Sequence, residues 1–242
     1  MTPTLAQLYS SYEQQRAVLD DYGMHHESTV KMFQNLYQTL ISRLLLDSGK
    51  PRFAEKTPGN CRVFPLLFEI FPGSPLIHII RDGRDVAASL RSQNWVDVRT
   101  GKPMDVTVDT RKAIQHWKSS VLEGREVIRL HENAPYLEVF YENLINDPEK
   151  ELRRLFAFLE EPWEGEVLDF HRVNRNLAGE ASATQVNRPL YSSSIGRFTK
   201  ILNHEDGLII KEEAGDLLVE LGYCSGFDWI EEMKPADTKE PS

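Results

Sequence analysis

The run Leu76-Ile77-His78-Ile79-Ile80 passes directly into Arg81-Asp82-Gly83-Arg84-Asp85-Val86-Ala87-Ala88-Ser89, and this join constrains the fold more than any other stretch of the chain. A short apolar run closed by a charged turn reads as a strand of the kind buried in parallel sheets. Asp82 can cap the helix that follows, whose first backbone amides then favour an anion at the strand end. Arg81 stands at that end, and a guanidinium there can fork two phosphate oxygens. Ser89 adds a hydroxyl donor from the same helix. Upstream, Lys56 in Phe53-Ala54-Glu55-Lys56-Thr57-Pro58 marks a second strand-to-loop junction carrying a cation. Two cations at strand ends point to one polyanionic ligand.

Around this join the pattern alternates between helix and strand. Residues 3–20 and 27–47 read as helices, the second with Val30, Phe33, Leu36, Leu40 and Leu44 at helical spacing and Gly49-Lys50-Pro51 as its stop. Phe53 to Glu55 reads as a short strand, Val63 to Phe71 as a helix ended by Pro72-Gly73, and residues 83–92 as the helix after Arg81. A long helix from Val108 to Glu132 is expected to turn Ile114, Trp117, Val121, Ile128 and Leu130 inward. Tyr136 to Phe140 is a third strand, and Asp147-Pro148 caps and opens a helix carrying Leu152, Leu155, Phe156 and Leu159. Residues 165–175 read as a short helix, 176–192 as a polar loop and 208–221 as a final helix ended by Gly222. The alternation implies right-handed crossovers, an α/β parallel sheet flanked by helices, and ligands at the carboxyl ends of the strands. One domain over residues 1–230 is expected, with 231–242 as a disordered tail.

Composition narrows the partners. Across 242 residues with 40% hydrophobic content, a net charge of −9 argues against a general nucleic-acid or anionic-membrane binder, so the cations that matter are local. No apolar run reaches the roughly 18 to 20 residues of a membrane span, and the first residues resemble neither a signal peptide nor a basic transit helix, so a cytoplasmic location is expected. Cys61 and Cys224 have no framework spacing and read as buried apolar residues rather than as a disulfide or redox pair. No metal-ligand cluster stands out, and no metal is expected. Each marker also has a plain structural reading. Arg81 could pair with Asp85 or Glu142, Lys56 could be a solvated loop lysine, and Ser89 a packing residue. Tyr141 could be a half-buried strand-end tyrosine, Arg188 and Arg197 surface arginines, and Ser182 ordinary loop polarity.

Five segments in order carry a resemblance: Glu55-Lys56-Thr57-Pro58; Phe71-Pro72; Arg81 to Asp85 with Ser89; Tyr141-Glu142-Asn143-Leu144 with Asp147-Pro148 and Phe158-Leu159; and Ser182 to Pro189 with Ser194-Ile195-Gly196-Arg197-Phe198. Together they resemble sulfotransferases that use 3′-phosphoadenosine-5′-phosphosulfate, above all the tyrosylprotein sulfotransferases and their bacterial relatives. The resemblance implies a fold related to P-loop kinases and transfer of a sulfuryl group to a hydroxyl acceptor, protein tyrosine among the candidates, with adenosine 3′,5′-bisphosphate as product. It implies that Arg81 and Ser89 hold the 3′-phosphate, that Tyr141 contacts the nucleotide, and that a loop including Ser182, Thr184, Gln185, Arg188 and Tyr191 folds over it. The same resemblance implies that Arg197 falls beside the phosphates, that Lys56 stabilises charge on the departing bridging oxygen, and that Ser182 assists there. A nucleotide donor and a hydroxyl acceptor are then the partners; a homodimer is left open.

The chain also departs from that pattern. A glycine-rich loop of the Pro-Arg-Ser-Gly-Thr-Thr type, which cradles the 5′-phosphosulfate in the family, has no counterpart in these 242 residues, and Gln93 replaces a second basic residue beyond Ser89. The family's catalytic base also lies upstream of Lys56, where Asp20, Asp21, His25, His26 and Glu27 are candidates by location alone. The expectation is therefore an N-terminally truncated version of the fold. The alternative reading is a catalytically impaired remnant that binds the nucleotide or a partner.

Overall fold

A computed structural model describes residues 21–23, 25–172 and 188–235. In chain order these form α1 (His26–Ser48), a 3₁₀ turn (Pro58–Val63), α2 (Phe64–Ile70), β1 (Leu76–Ile80), α3 (Gly83–Arg91), α4 (Asp105–Val108), α5 (Thr110–Leu130), β2 (Tyr136–Phe140), α6 (Tyr141–Asn146) and α7 (Pro148–Phe158). A 3₁₀ segment (Gly165–Arg172), α8 (Phe198–Ile201), α9 (His204–Glu220) and a last 3₁₀ turn (Asp228–Ile230) follow. The expected helix over 3–20 and the end of the expected tail, from residue 236 on, lie outside the described residues. The two strands pair in parallel, as the α/β reading requires.

The described residues divide into two compact units, one of those up to His78 with Ser119–Tyr136, the other of Ile79–Lys118 with those from Leu137 on. In the first, α1 ends at Gly49, whose φ of 64° is the left-handed conformation glycine adopts without strain. Val30 of α1 packs with Leu66 and Ile70 of α2, and Phe33, Tyr37 and Phe71 lie against them. Leu36, Leu40 and Leu44 continue the helical spacing but stay exposed. The core of this unit joins Val63, Phe64 and Leu67 to Leu76 and Val127, with Tyr136 at its margin. Buried His78 accepts or donates at Nδ1 with the Tyr136 hydroxyl at 2.7 Å, and its ring lies against Gly124 so closely that only a hydrogen fits there.

Three expectations are corrected. Phe53 to Glu55 is not a strand: the segment is exposed and has no ladder partner among the described residues, and a three-residue strand does not persist unpaired. β1 is not buried on both faces. Leu76, His78 and Ile80 are buried while Ile79 is 57% exposed, so it behaves as a one-sided strand. In α5, Ile114, Trp117 and Val121 are buried as expected, but Ile128 and Leu130 are exposed and Val127 is fully buried. From Val121 the inward stripe advances in three-residue steps, through Gly124 to Val127, and so rotates around the helix away from Ile128.

In the second unit, α3 packs on α4 and α8. Between α3 and α4 the chain makes a hairpin-like excursion closed by an antiparallel bridge from Val96 to Pro103. Asp147 caps α7 by accepting from the Lys150 amide, with Pro148 in the first turn. The final helix starts four residues before the expected position because Asn203 and Asp206 form a reciprocal capping box. α5 and α9 are clamped at Glu213, which receives Arg111 and, at 2.9 Å, Gln115, while Lys118 bonds its carbonyl at 2.7 Å.

Candidate functional site

The carboxyl end of β1 is fastened before its arginine is aimed. The Arg81 carbonyl accepts from Nε1 of buried Trp117 at 2.9 Å, and the next amide, of Asp82, donates to Oε1 of Glu142 at 2.9 Å. Asp82 caps α3 as its sequence position foretells, accepting from the Arg84 amide at 2.9 Å. The same carboxylate takes the Arg84 side chain in a fork, with Nη2 at 2.6 Å. Arg84 also bonds the Tyr223 carbonyl at 2.8 Å and lies over the rings of Phe198 and Trp229. It is thus a buried structural arginine with its charge neutralised.

Arg81 is placed differently. Its Nη2 donates to the Ser194 carbonyl at 2.5 Å, its guanidinium carbon lies 5.0 Å from the centre of the Tyr141 ring, and the nearest carboxylate oxygen, of Asp85, is 4.0 Å away. Its Nε is buried and has no hydrogen-bond partner among the described residues. A buried N–H left unmatched costs roughly 1–3 kcal/mol, so among the described residues this guanidinium keeps unused hydrogen-bonding capacity. Of the two carboxylates that could have paired with Arg81, Glu142 instead receives the Asp82 amide and, at 3.2 Å, the Tyr223 hydroxyl. Burial, and then the Glu142 charge, push the Tyr223 phenol well above its ordinary range.

Asp85 is 1% exposed and accepts two backbone amides, Gly196 at 2.7 Å and Phe198 at 2.9 Å. Burial raises its pKa, against the lowering effect of those two amides. The segment it holds includes Ser194, whose hydroxyl is 2.8 Å from that of Tyr141. Arg81, Tyr141 and Ser194 therefore meet at one point. The amides of Asp82 and Arg84 are taken by carboxylates and not left for a ligand, so an anion here would be met chiefly by Arg81 and the α3 dipole.

The remaining sequence-predicted residues are spread more widely. Ser89 is half-buried on α3, one turn beyond Asp85. Arg197 is half-buried in the segment that Asp85 holds, and Arg188 and Tyr191 are exposed upstream of it. Ser182, Thr184 and Gln185 lie outside the described residues. Lys56 belongs to the first unit, exposed on the segment before the 3₁₀ turn. Its neighbour Glu55 braces that segment by accepting from the Thr57 hydroxyl at 2.5 Å and from the Asn60 amide. Sequence reasoning missed Trp117, Asp85, Ser194 and Tyr223 as supports, because their partners lie far away along the chain. Among the described residues no group of three His, Cys, Asp or Glu side chains could hold a metal ion, and no helix is long and apolar enough to cross a membrane. Both cysteines are free, but they are half-buried and not buried as expected.

A family model described as "Sulfotransferase family" matches residues 3–165. Protein-tyrosine sulfotransferase A of Caenorhabditis elegans is 25% identical over 201 residues, covering 81% of this chain and 51% of that protein. Protein-tyrosine sulfotransferase 1 of Homo sapiens is 24% identical over 229 residues, covering 90% of this chain and 59% of that protein. An uncharacterized protein of Aquifex aeolicus is 31% identical over 175 residues, covering 70% of this chain and 22% of that protein. The chain thus spans about half the length of the C. elegans relative and about a fifth of the Aquifex protein.

Proposed function

Because the chain belongs to the sulfotransferase family, we propose that it transfers a sulfuryl group from 3′-phosphoadenosine-5′-phosphosulfate to a hydroxyl, with a tyrosine phenol as the favoured acceptor. The observation that carries this reading is the Arg81 guanidinium, fixed at the end of β1 with a buried, unmatched N–H. A dianionic 3′-phosphate suits it, since a charge-assisted bond to the guanidinium would use the capacity that the described residues leave unmatched. The acceptor side rests on the names of the relatives, which are protein-tyrosine sulfotransferases.

The donor, when bound, supplies a sulfuryl group on a good leaving oxygen. In the transfer, the acceptor oxygen bonds to sulfur as the bond to the 5′-phosphate oxygen breaks, and the acceptor's proton leaves to a base. Arg81 grips the 3′-phosphate, Ser89 adds a hydroxyl donor, and Tyr141 lies against the nucleotide. Arg188, Tyr191 and Arg197 belong to the flanking segment, with Thr184 and Gln185 assigned to it from sequence. Lys56 meets the charge that develops on the departing oxygen, with Ser182 assisting. Fixed cations are effective in such steps because they need no reorganisation as the charge appears.

Titration calorimetry with adenosine 3′,5′-bisphosphate tests this reading. A charge-assisted hydrogen bond contributes about 1.5–3 kcal/mol, so Arg81→Ala should weaken binding about ten- to a hundredfold. Equal affinity of the variant and the unaltered chain would remove the phosphate grip and with it the nucleotide reading.

A further inference from the structure

Arg81 is a long side chain, and what keeps it aimed is a short strap of backbone from Ser194 to Phe198. The strap touches the arginine through the Ser194 carbonyl at 2.5 Å and touches Tyr141 through the Ser194 hydroxyl at 2.8 Å. It is tied to α3 by one carboxylate, that of Asp85, with Oδ2 on the Gly196 amide at 2.7 Å and Oδ1 on the Phe198 amide at 2.9 Å. Between the two amides Gly196 adopts a φ of 71°, and space is open where its Cβ would be, so the strap's shape depends on backbone conformation and on Asp85 rather than on side-chain packing at that turn.

Charge makes the choice of Asp85 informative. Its Oδ2 stands 4.0 Å from Arg81 Nη2, so by electrostatics alone it opposes any anion that Arg81 receives. A buried acid in such a place weakens the grip unless it does something else. We propose that Asp85 is a positioning residue for the 3′-phosphate: it fixes the strap, and the strap fixes Arg81 and Tyr141 in the geometry that selects a nucleotide carrying that phosphate. This rests on the nucleotide reading above. The two possible roles of Asp85 have opposite signs. If it acts only as a nearby negative charge, removing the charge tightens phosphate binding; if it positions the strap, removal loosens it.

The test compares adenosine 3′,5′-bisphosphate with adenosine 5′-monophosphate, which lacks the 3′-phosphate, by calorimetry on the whole chain, Asp85→Asn and Gly196→Ala. Asparagine keeps an acceptor for one amide but turns an N–H toward the other. Asp85→Asn should lower affinity for the bisphosphate by roughly tenfold or more while changing affinity for the monophosphate less than about twofold. Gly196→Ala leaves Asp85 in place and adds no clash, only left-handed strain, so it should give the same selective loss at roughly three- to tenfold. It decides the matter if Asp85→Asn does not fold. Hydrogen exchange at the Gly196 and Phe198 amides should accelerate in parallel. Unchanged or tighter bisphosphate binding by Asp85→Asn, or by Gly196→Ala where it stands alone, overturns the positioning role while leaving the nucleotide reading intact. Failure of the unaltered chain to distinguish the two nucleotides overturns the nucleotide reading itself and the positioning role with it.

Discussion

Gly83→Ala is the smallest change that should reach Arg81 without touching it. Gly83 is the first residue of α3, and a Cβ built on it would lie 2.6 Å from two carbons of the Trp117 ring and 2.8 Å from a third. Carbon atoms rest about 3.5–4.0 Å apart, so the indole would have to move by about an ångström. It has little room, being 4% exposed, and its Nε1 holds the Arg81 carbonyl at 2.9 Å. Overpacking of this kind costs about 1–3 kcal/mol, and a lost hydrogen bond adds about 0.5–1.5 kcal/mol. Alanine returns at most about 1 kcal/mol of helix propensity, and less at a first-turn position. The net expectation is a destabilisation of about 1.5–3 kcal/mol, measured as a lower urea midpoint with unchanged slope. Release of the Arg81 carbonyl should also lower bisphosphate affinity. Trp117→Leu in the Gly83→Ala background should recover part of the stability loss, because it removes the clash. An unchanged or raised midpoint for Gly83→Ala would refute the packing argument, since helix propensity would then be the only effect present.

Gly124→Ala should lower the melting temperature by about 2–8 °C, because its Cβ would meet the buried His78 ring and overpacking outweighs the gain in propensity; calorimetric melting checks it. Tyr223→Phe bears on alkaline stability. The buried phenol binds its proton more tightly than an unfolded tyrosine does, so its contribution is complete below the ordinary phenol pKa and falls as pH rises beyond it. Unfolding followed from pH 8 to 11 should show a shallower alkaline decline in Tyr223→Phe, which also loses about 1 kcal/mol at neutral pH with its bond to Glu142; parallel declines in the two proteins would count against that linkage. In a chain extended to carry the phosphosulfate-binding loop, Lys56→Ala, assayed with labelled phosphosulfate nucleotide, should lower kcat more than it raises the donor's KM, as fits a charge met mainly in the transition state, and a normal kcat would make Lys56 an ordinary loop lysine.

Much of this is written locally in the chain, and the division between legible and illegible follows distance along it. β1, β2, α3 and the Asp82 and Asp147 caps fall where apolar runs and turn chemistry put them, because each is decided within a few residues. The inward face of α5 drifts from the expected one after Val121, because Gly124 carries no hydrophobic signal yet is the residue that the His78 ring requires. Phe53 to Glu55 looks like a strand by composition, but a strand exists only with a partner, which no local pattern specifies. At the site, Arg81 could be named from its strand end, and Tyr141 from the family resemblance. Asp85 reads only as a possible partner of Arg81, because the Gly196 and Phe198 amides it holds lie more than a hundred positions away.

The fork of Arg84 on Asp82, with its reach to the Tyr223 carbonyl and its stacking on Phe198 and Trp229, has a consequence for biosynthesis. The bond to Tyr223 spans 139 positions, and those from Arg81 and Asp85 to the Ser194–Phe198 segment span 113. A ribosome delivers β1 and α3 long before their supports exist. The entropic penalty for such closures rises only slowly with length, by about 0.6 kcal/mol per doubling, so what delays them is synthesis itself. A nascent chain that has not reached Ser194 holds the residues of the anion site without the strap that aims Arg81, and one short of Trp229 leaves a buried guanidinium half-enclosed. On the proposed reading, nucleotide binding then requires synthesis through Phe198, and its contacts rest on residues made more than a hundred positions after Arg81.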